Sequence, residues 1–404
     1  MRAYQRFIDY VQVHTTSDPT SGTHPSFGGE WNLARLLESQ LTELGVQNVQ
    51  VDEHCYVYGI LPATEGLEDH TSLGFLAHMD TSPDAEGRGV KPQLHKDYDG
   101  SDIVLGDSGK VLTQARFPWL KSFIGETVIT TDGTTLLGAD DKAGCAEIMT
   151  GIERIQEEKL PHGPLYFCFT PDEEIGEGAD YIDYGIFCPQ FAYTLDGGPV
   201  YDIEYENFNA ASCLVTVTGV NIHPGAAKDL MVNAQNVAME FHGMLPEMER
   251  PEHTAEREGF FHLHDMKGNV HTAVLAYIIR DHDREIFESR KNKMKELEKL
   301  LNDKYGAGTV EVQMMDTYYN MYEKIMPHMH LVENAKKAIE AVGLTPKSVP
   351  VRGGTDGARI SFEGIPCPNL GTGGYNCHGE MECITCESMD KAVEIMLNII
   401  KAYA

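Results

Sequence analysis

Short apolar segments alternate with amphipathic segments along the first half of the chain. The segments at 72–80, 165–170 and 191–196 are short and largely apolar, as buried strands are. Residues 33–44 and 145–159 instead place apolar side chains at helical spacing. Strands that alternate with helices are typical of a layered α/β domain with a largely parallel sheet. We predict that fold class for the larger part of the chain.

The pattern changes after about residue 207. Residues 208–317 carry a strand, a helix, two strands joined by the turn-like segment KGN, a long charged helix and a final strand. The order β-α-β-β-α-β is that of the split βαβ, or ferredoxin-like, module. The α/β pattern then returns. We predict a discontinuous α/β domain over 1–207 and 318–404, with a ferredoxin-like domain inserted over 208–317.

The charge of the chain limits its partners. With 62 acidic and 32 basic residues among 404, the formal net charge is −30. Such a surface repels phosphate backbones, so nucleic-acid binding is disfavoured, whereas cationic ligands and metal ions are favoured. The alternative that the charge only keeps the protein dispersed stays open.

The cysteines and the apolar segments predict a location. Nine cysteines are scattered without the even number and regular spacing of a disulfide framework, as in proteins of reducing compartments. The first 13 residues lack the uninterrupted apolar core of a signal peptide. No segment approaches the roughly 18 apolar residues of a membrane span. We therefore expect a cytoplasmic protein with no membrane partner.

Histidines and carboxylates lie at or just beyond the ends of short apolar segments. They are His78, Asp80, Asp140, Asp141, Glu173, Glu174, Asp196 and His378. In open α/β sheets, ligands bind outside the carboxyl ends of the strands. Histidine and carboxylate are ordinary zinc ligands, and two metal ions sharing a carboxylate suit hydrolysis. Each residue alone is a common turn or cap residue, but their joint occurrence predicts a metal site.

Five motifs resemble those of the cocatalytic zinc exopeptidases. They are HMDT at 78–81, GADDKAG at 138–144, PDEEIGEGA at 171–179, LDGGP at 195–199 and RGGTDGA at 352–358. Within that family, four further segments resemble the tripeptide aminopeptidases: ENFNAA (206–211), HPG (223–225), YIIRDHDR (277–284) and YYNM (318–321). The resemblance covers nearly the whole chain. It implies a zinc-exopeptidase-like catalytic domain, with the inserted ferredoxin-like domain acting as a lid.

The resemblance implies two zinc ions per subunit, with cobalt or manganese as substitutes. Carried over by position, it makes Asp140 the carboxylate that bridges the two ions. His78 and Asp196 would complete one site, and Glu174 and His378 the other.

The resemblance also assigns residues around the metals. Asp80 would orient the imidazole of His78, and Asp141 would follow a cis Asp140–Asp141 peptide bond. Glu173 would be the general base that takes a proton from water and passes it to the departing amine. Cys377 stands where a tyrosine is commoner in close relatives, and we expect its thiol to point away from the side that His378 faces.

Four residues are candidates for substrate binding. Arg280 can bind a peptide carboxylate bidentately, although pairing with Asp281 or Asp283 is the alternative. Arg352 lies beside a Gly-Gly turn. The remaining candidates are Asn207 and His223; His223 would assist from the lid or from a partner chain, or is a common turn residue before proline.

The resemblance implies an aminopeptidase that releases the N-terminal residue from short peptides, chiefly tripeptides, as a monomer or homodimer. A dizinc dipeptidase, carboxypeptidase or N-acyl-amino-acid deacylase would share the metal ligands and differ in the lid. A non-catalytic peptide-binding or metal-storage protein would need a broken ligand set or a missing base, and neither is visible. A serine or cysteine hydrolase is disfavoured because the chain has no G-x-S-x-G motif.

Overall fold

The computed structural model describes all 404 residues. The helices are α1 (Ala3–Val11), α2 (Glu30–Glu43), α3 (Ala139–Glu158), α4 (Ala234–Gly243), α5 (Arg284–Tyr305), α6 (Tyr322–Ile325), α7 (His330–Ala341), α8 (Asp356–Phe362) and α9 (Cys386–Ala402). Not one of them combines the length and the apolarity that crossing a lipid bilayer requires.

Seventeen strands complete the secondary structure. They are β1 (Gln47–Val51), β2 (Val57–Leu61), β3 (Leu73–His78), β4 (Gln93–His95), β5 (Ile103–Leu105), β6 (Lys110–Leu112), β7 (Val128–Thr130), β8 (Leu165–Thr170), β9 (Phe191–Leu195), β10 (Asp202–Glu204), β11 (Asn209–Thr218), β12 (Phe260–Gly268), β13 (Thr272–Asp281), β14 (Val310–Tyr318), β15 (Lys347–Ser348), β16 (Asn369–Leu370) and β17 (Cys383–Thr385).

The chain divides into two compact units. The larger unit comprises Met1–Tyr205, Glu323–Val349 and Thr355–Ala404, and the smaller unit comprises Glu206–Tyr322 and Pro350–Gly354. Pro350–Gly354 thus groups with the smaller unit, whereas the sequence predicted it in the larger one. The reason is local pairing, since Asn207 and Val351 form a parallel β-bridge.

The larger unit is built on an eight-stranded mixed sheet, in the order β1-β2-β8-β3-β9-β16-β10-β15. Its centre is parallel, because β3 pairs in parallel with both β8 and β9. Every residue of β3 and β9 is buried, as expected of strands covered on both faces. The rings of Phe75, Phe167 and Tyr193 stack across these three strands. The α/β fold predicted from the sequence is confirmed.

Helix α3 lies against this sheet at its centre. It packs on β3 and on helices α1 and α9, and most of its residues are buried. Gly144 permits the close approach of the helix to β9, because a Cβ atom there would lie 2.3 Å from the carbonyl oxygen of Leu195. Asp140 and Asp141, near the start of α3, have non-helical backbone angles, which turns the chain sharply before the regular helix.

The smaller unit contains a four-stranded antiparallel sheet in the order β12-β13-β11-β14. Its elements follow one another as β11-α4-β12-β13-α5-β14, which is the predicted split βαβ order. Alternate residues of β13 are buried, because helices α4 and α5 pack against the sheet. The unit has its own apolar core, which includes Val215, Phe241, Leu275 and Leu297.

Candidate metal centre

Three parallel strands bring their carboxyl ends together in the larger unit. Strand β3 ends at His78, β8 is followed by Glu173 and Glu174, and β9 is followed by Asp196. Because these strands are neighbours in the order β8-β3-β9, their polar side chains meet at one edge of the sheet. Asp140 arrives from the start of α3.

His78 and Asp196 lie together on one side of Asp140. The Nε2 atom of His78 is 3.1 Å from Asp140 Oδ1 and 3.6 Å from Asp196 Oδ1. The imidazole is almost completely buried. Burial lowers the pKa of His78, but contacts with Asp140, Asp196 and Asp80 outweigh it, so the pKa is raised well above its usual range. The surroundings of His78 Nε2 therefore favour positive charge.

His378 and Glu174 lie on the other side of Asp140. The Nε2 atom of His378 is 3.0 Å from Glu174 Oε2 and 3.4 Å from Asp140 Oδ2. The contacts with Asp140 and Glu174 raise the pKa of His378 to about 11. The two oxygens of Asp140 thus face two different histidines.

Asp80 supports both the histidine and the two glutamates. His78 Nδ1 lies 3.1 Å from the Asp80 carbonyl oxygen and 3.2 Å from its Oδ1 atom. The backbone N–H groups of Glu173 and Glu174 donate to Oδ1 and Oδ2 of Asp80, at 3.0 and 3.1 Å. One buried carboxylate therefore fixes the ends of two adjacent strands.

The carboxylate of Glu173 is close to this group. Its Oε2 atom lies 4.0 Å from His78 Nε2, and the side chain is 19% exposed. Burial, followed by the negative charge of Asp196, raises the pKa of Glu173 well above its usual range. A carboxylate in such surroundings has a high affinity for a proton.

The donor set fits divalent metal ions. Histidine nitrogens and carboxylate oxygens are ordinary zinc ligands, and atoms of His78, Asp140 and Glu174 lie within 4.8 Å of one another. The Oε1 atom of Glu174 is buried without a hydrogen-bond partner. Burying several carboxylates together is costly unless a cation balances their charge, so the residues present suit the metals that the sequence implied.

Asp141 binds backbone at the edge of the centre, and one of its oxygens also lies within 4.8 Å of ligand atoms of His78 and Asp196. Its Oδ2 atom accepts the backbone N–H of His78 at 3.1 Å, and its Oδ1 atom accepts that of Gly144 at 3.2 Å. Both oxygens therefore accept hydrogen bonds from backbone N–H groups. The Asp140–Asp141 peptide bond is cis, as the resemblance implied.

Two carboxylates near the centre were not identified from the sequence. Glu382 accepts the backbone N–H groups of Leu137, Gly138 and Asp140 at 2.7, 2.7 and 3.0 Å, and so fixes the loop that presents Asp140. Asp356 accepts the hydroxyl of Thr170 at the end of β8. The motif RGGTDGA contains Asp356 and gave a signal for it, whereas no sequence pattern indicated Glu382.

Cys377 precedes the metal-ligand candidate His378. Burial raises the pKa of its thiol, and the negative charges of Asp140, Glu382, Asp196 and Glu174 raise it further. His378 has a left-handed backbone conformation with φ of 62°, so the two adjacent residues do not follow the alternation of a strand. The orientation of the thiol relative to His378 stays a prediction.

Arg280 is in the smaller unit, and its alternative partners are occupied. Asp281 pairs with Arg290 at 2.8 Å, and Asp283 caps helix α5 through the N–H of Ile286. Arg280 donates from Nη1 to the carbonyl of Arg352, and its Nε atom is buried without a hydrogen-bond partner. The alternative, in which Arg280 pairs with Asp281 or Asp283, is not what the structure shows, because Asp281 binds Arg290 and Asp283 caps helix α5.

The other three residues predicted to bind substrate differ from one another in the partners of their polar groups and in exposure. Arg352 donates to the carbonyls of Thr254, Glu256 and Glu258, so its guanidinium holds a loop of its own unit. Asn207 is fully buried, and both amide N–H groups donate to carbonyls, of Phe208 and Tyr319. The structure thus gives Asn207 no group free for substrate, because its amide ties chain segments together. His223 is exposed, and its Nδ1 atom accepts the N–H of Gly225.

Comparison with protein families identifies one matching model. The model of peptidase family M20/M25/M40 matches residues 131–402. The chain is also 52% identical to peptidase T of Clostridium novyi over 402 residues, which cover 99% of this chain and 98% of the relative.

Solved structures show the same fold. The aminopeptidase PepT from Bacillus cereus superposes with a TM-score of 0.80 at 27% identity, covering 99% of this chain and 97% of that chain. A dinuclear metal-binding peptidase of the M20 family from Bacillus subtilis has a TM-score of 0.67 at 14% identity, covering 99% and 98% of the two chains. The second likeness concerns the fold alone.

Proposed function

The chain belongs to peptidase family M20/M25/M40, and from that membership we propose that it is a metal-dependent aminopeptidase that releases the N-terminal residue from tripeptides. The observation that carries the metal dependence is the position of Asp140, whose two oxygens face His78 and His378. The preference for tripeptides rests on the full-length likeness to peptidase T.

We assign the metal ligands in two groups that share Asp140. His78 and Asp196 would hold one zinc ion, and Glu174 and His378 the other, in keeping with the distances on each side of Asp140. When bound, two such ions acidify water and polarise the scissile carbonyl.

Glu173 is the general base in this proposal. Its carboxylate lies beside the ligands, and its high proton affinity suits a group that accepts a proton from water. The same carboxylic acid then donates that proton to the departing amine. Asp80 keeps the glutamate in position, because it binds the backbone N–H groups of Glu173 and Glu174.

Recognition of a short peptide requires groups for both of its ends. The carboxylates of the metal centre provide negative charge for the substrate ammonium. For the C-terminal carboxylate we assign Arg280, whose guanidinium has no carboxylate partner among Asp281 and Asp283 and whose Nε atom is unpaired. His223 stays a candidate for assisting the reaction from the smaller unit.

Replacement of Arg280 by Met is expected to lower kcat/KM for tripeptides by about 10- to 150-fold, mainly through KM. That range corresponds to about 1.5–3 kcal/mol for hydrogen bonds to a charged group. The check is steady-state kinetics on a tripeptide and on the same tripeptide with an amidated C-terminus. The variant should treat both alike, whereas the wild type should prefer the free acid.

The control for Arg280 is Arg284→Met, which removes an exposed guanidinium of the same unit that stacks on Tyr319. It should keep the preference for the free carboxylate. Retention of that preference in Arg280→Met would remove Arg280 from the substrate site.

The proposed function is tested by the length and the N-terminus of the substrate. Release of amino acids would be measured from di-, tri- and tetrapeptides and from N-acetylated tripeptides, before and after chelation and with zinc, cobalt or manganese added back. We expect the free tripeptide to be cleaved fastest, and only with metal. Equal cleavage of the N-blocked peptide would instead favour a deacylase or carboxypeptidase with the same ligands.

We further infer that the enzyme works in the cytoplasm on soluble peptides. The support is that all nine cysteines are free thiols, as in reducing compartments. The net charge of −30 argues against nucleic-acid partners.

A further inference from the structure

A second group of metal-ligating side chains lies outside the centre described above. It consists of His24, Asp172 and Glu177, each offering one ligand atom within 4.8 Å of the others. The Nδ1 atom of His24 is 3.1 Å from Asp172 Oδ2 and 3.5 Å from Glu177 Oε2. None of the three belongs to the ligand set around Asp140.

The histidine is buried, and its nitrogens lack hydrogen bonds. Only 7% of the His24 side chain is exposed, and neither Nδ1 nor Nε2 has a hydrogen-bond partner with acceptable geometry. The ring is held in place by stacking on Tyr56 and by contact with Tyr181. The Nδ1 atom of this buried imidazole has ion-pair contacts with both carboxylates, so it can hold either a proton or, in its neutral form, a metal ion that the two carboxylates share.

The carboxylates differ in exposure. Asp172 is completely buried, and its oxygens already accept the backbone N–H and the hydroxyl of Ser26. Each carboxylate oxygen has a second lone pair, so Oδ2 can still bind a cation. Glu177 is 45% exposed, which leaves one side of the group open to solvent.

The distances between these atoms are compatible with ligands that share a small cation. Zinc binds nitrogen and oxygen at about 2.0–2.2 Å in tetrahedral geometry, which separates two ligands by about 3.3–3.6 Å. The measured separations of 3.1 and 3.5 Å are close to this range. One nitrogen and two carboxylate oxygens, with a solvent-facing fourth position, suit zinc rather than calcium or magnesium.

We propose that His24, Asp172 and Glu177 form a third cation site, which binds a divalent ion of the zinc class. The site is structural. It joins the 22–27 loop to the turn at 172–177, where the N–H of Glu177 donates to the Asp172 carbonyl at 3.0 Å. Asp172 directly precedes Glu173, so the ion holds the start of the turn that carries the general base and a metal ligand.

The site is tested by counting bound metal. The full-length protein and the variants His24→Asn and Glu177→Gln would be freed of metal by chelation and dialysed against zinc or cobalt. Bound metal would then be measured by inductively coupled plasma mass spectrometry. We expect each variant to bind about one equivalent of metal less than the wild type. With cobalt bound, each variant should lack one set of the visible absorption bands that the wild type shows.

The control variant is His54→Asn, which removes a neighbouring imidazole whose ring centre is 6.0 Å from that of His24. It should bind as much metal as the wild type. Equal metal content in the wild type, His24→Asn and Glu177→Gln would overturn the proposal and leave His24 and Asp172 as an ion pair. Glu177→Gln keeps the test decisive if His24→Asn does not fold, because Glu177 is half exposed.

Failure of the third site is distinguishable from failure of the proposed function. The Asp140→Ala background removes the shared ligand of the main centre, and the difference of one equivalent caused by His24→Asn should persist there. A main centre that bound no metal would lower every count equally and leave that difference intact.

Discussion

Glu173→Gln is expected to lower kcat by about 10²- to 10⁴-fold while leaving the bound metal at the wild-type level. The amide has nearly the same shape as the carboxylate, but it cannot accept a proton from water. The change should not disturb the turn, because Asp80 holds Glu173 through its backbone N–H. The measurements are tripeptide kinetics and metal content on the same protein preparation.

The matched control is the adjacent substitution Glu174→Gln. Glu174 Oε2 lies 3.0 Å from His378 Nε2, and its other oxygen is buried without a partner. This variant should lose metal first, and its activity should recover in part when zinc is added in excess. Equal metal loss in both variants would show that the two glutamates do not divide the roles of base and ligand.

The sequence predicted which side chains meet where polar residues coincide with strand ends. His78, Glu173, Glu174 and Asp196 follow three buried strands, and parallel pairing of β3 with β8 and β9 brings their ends together. A fully buried parallel strand is a continuous apolar segment, so a charged residue at its end stands out. The apolar segments and the residue types at their ends thus predicted the sheet and the edge at which these side chains meet.

Residues that bind backbone were harder to predict. Glu382 accepts the backbone N–H groups of Leu137 and Gly138, just before α3, and of Asp140 in its first turn, which are 242 to 245 positions away in sequence. Such contacts depend on tertiary packing and leave no local pattern in the chain. Asn207 and Arg352 likewise bind carbonyls of their own unit, and no local pattern in the chain indicated those contacts.

Asp140→Ala is expected to remove both metal ions, whereas His378→Ala should remove about one. The distinction follows from geometry, because Asp140 Oδ1 lies 3.1 Å from His78 Nε2 and Oδ2 lies 3.4 Å from His378 Nε2. Metal ions contribute several kcal/mol of transition-state stabilisation, so activity of Asp140→Ala should fall at least about 10³-fold.

The control for Asp140 is Asp84, a carboxylate that also lies near His378 but does not belong to the ligand set. Asp84 Oδ2 is 3.6 Å from His378 Nδ1, but its side chain is 73% exposed. Since an exposed charge interacts weakly through water, Asp84→Ala should keep both ions and most of the activity. Metal analysis of the three variants ranks the residues by the number of ions that each one holds. If Asp140→Ala and His378→Ala lost the same amount of metal, Asp140 would be a ligand of one ion only, and the shared carboxylate would have to be sought elsewhere.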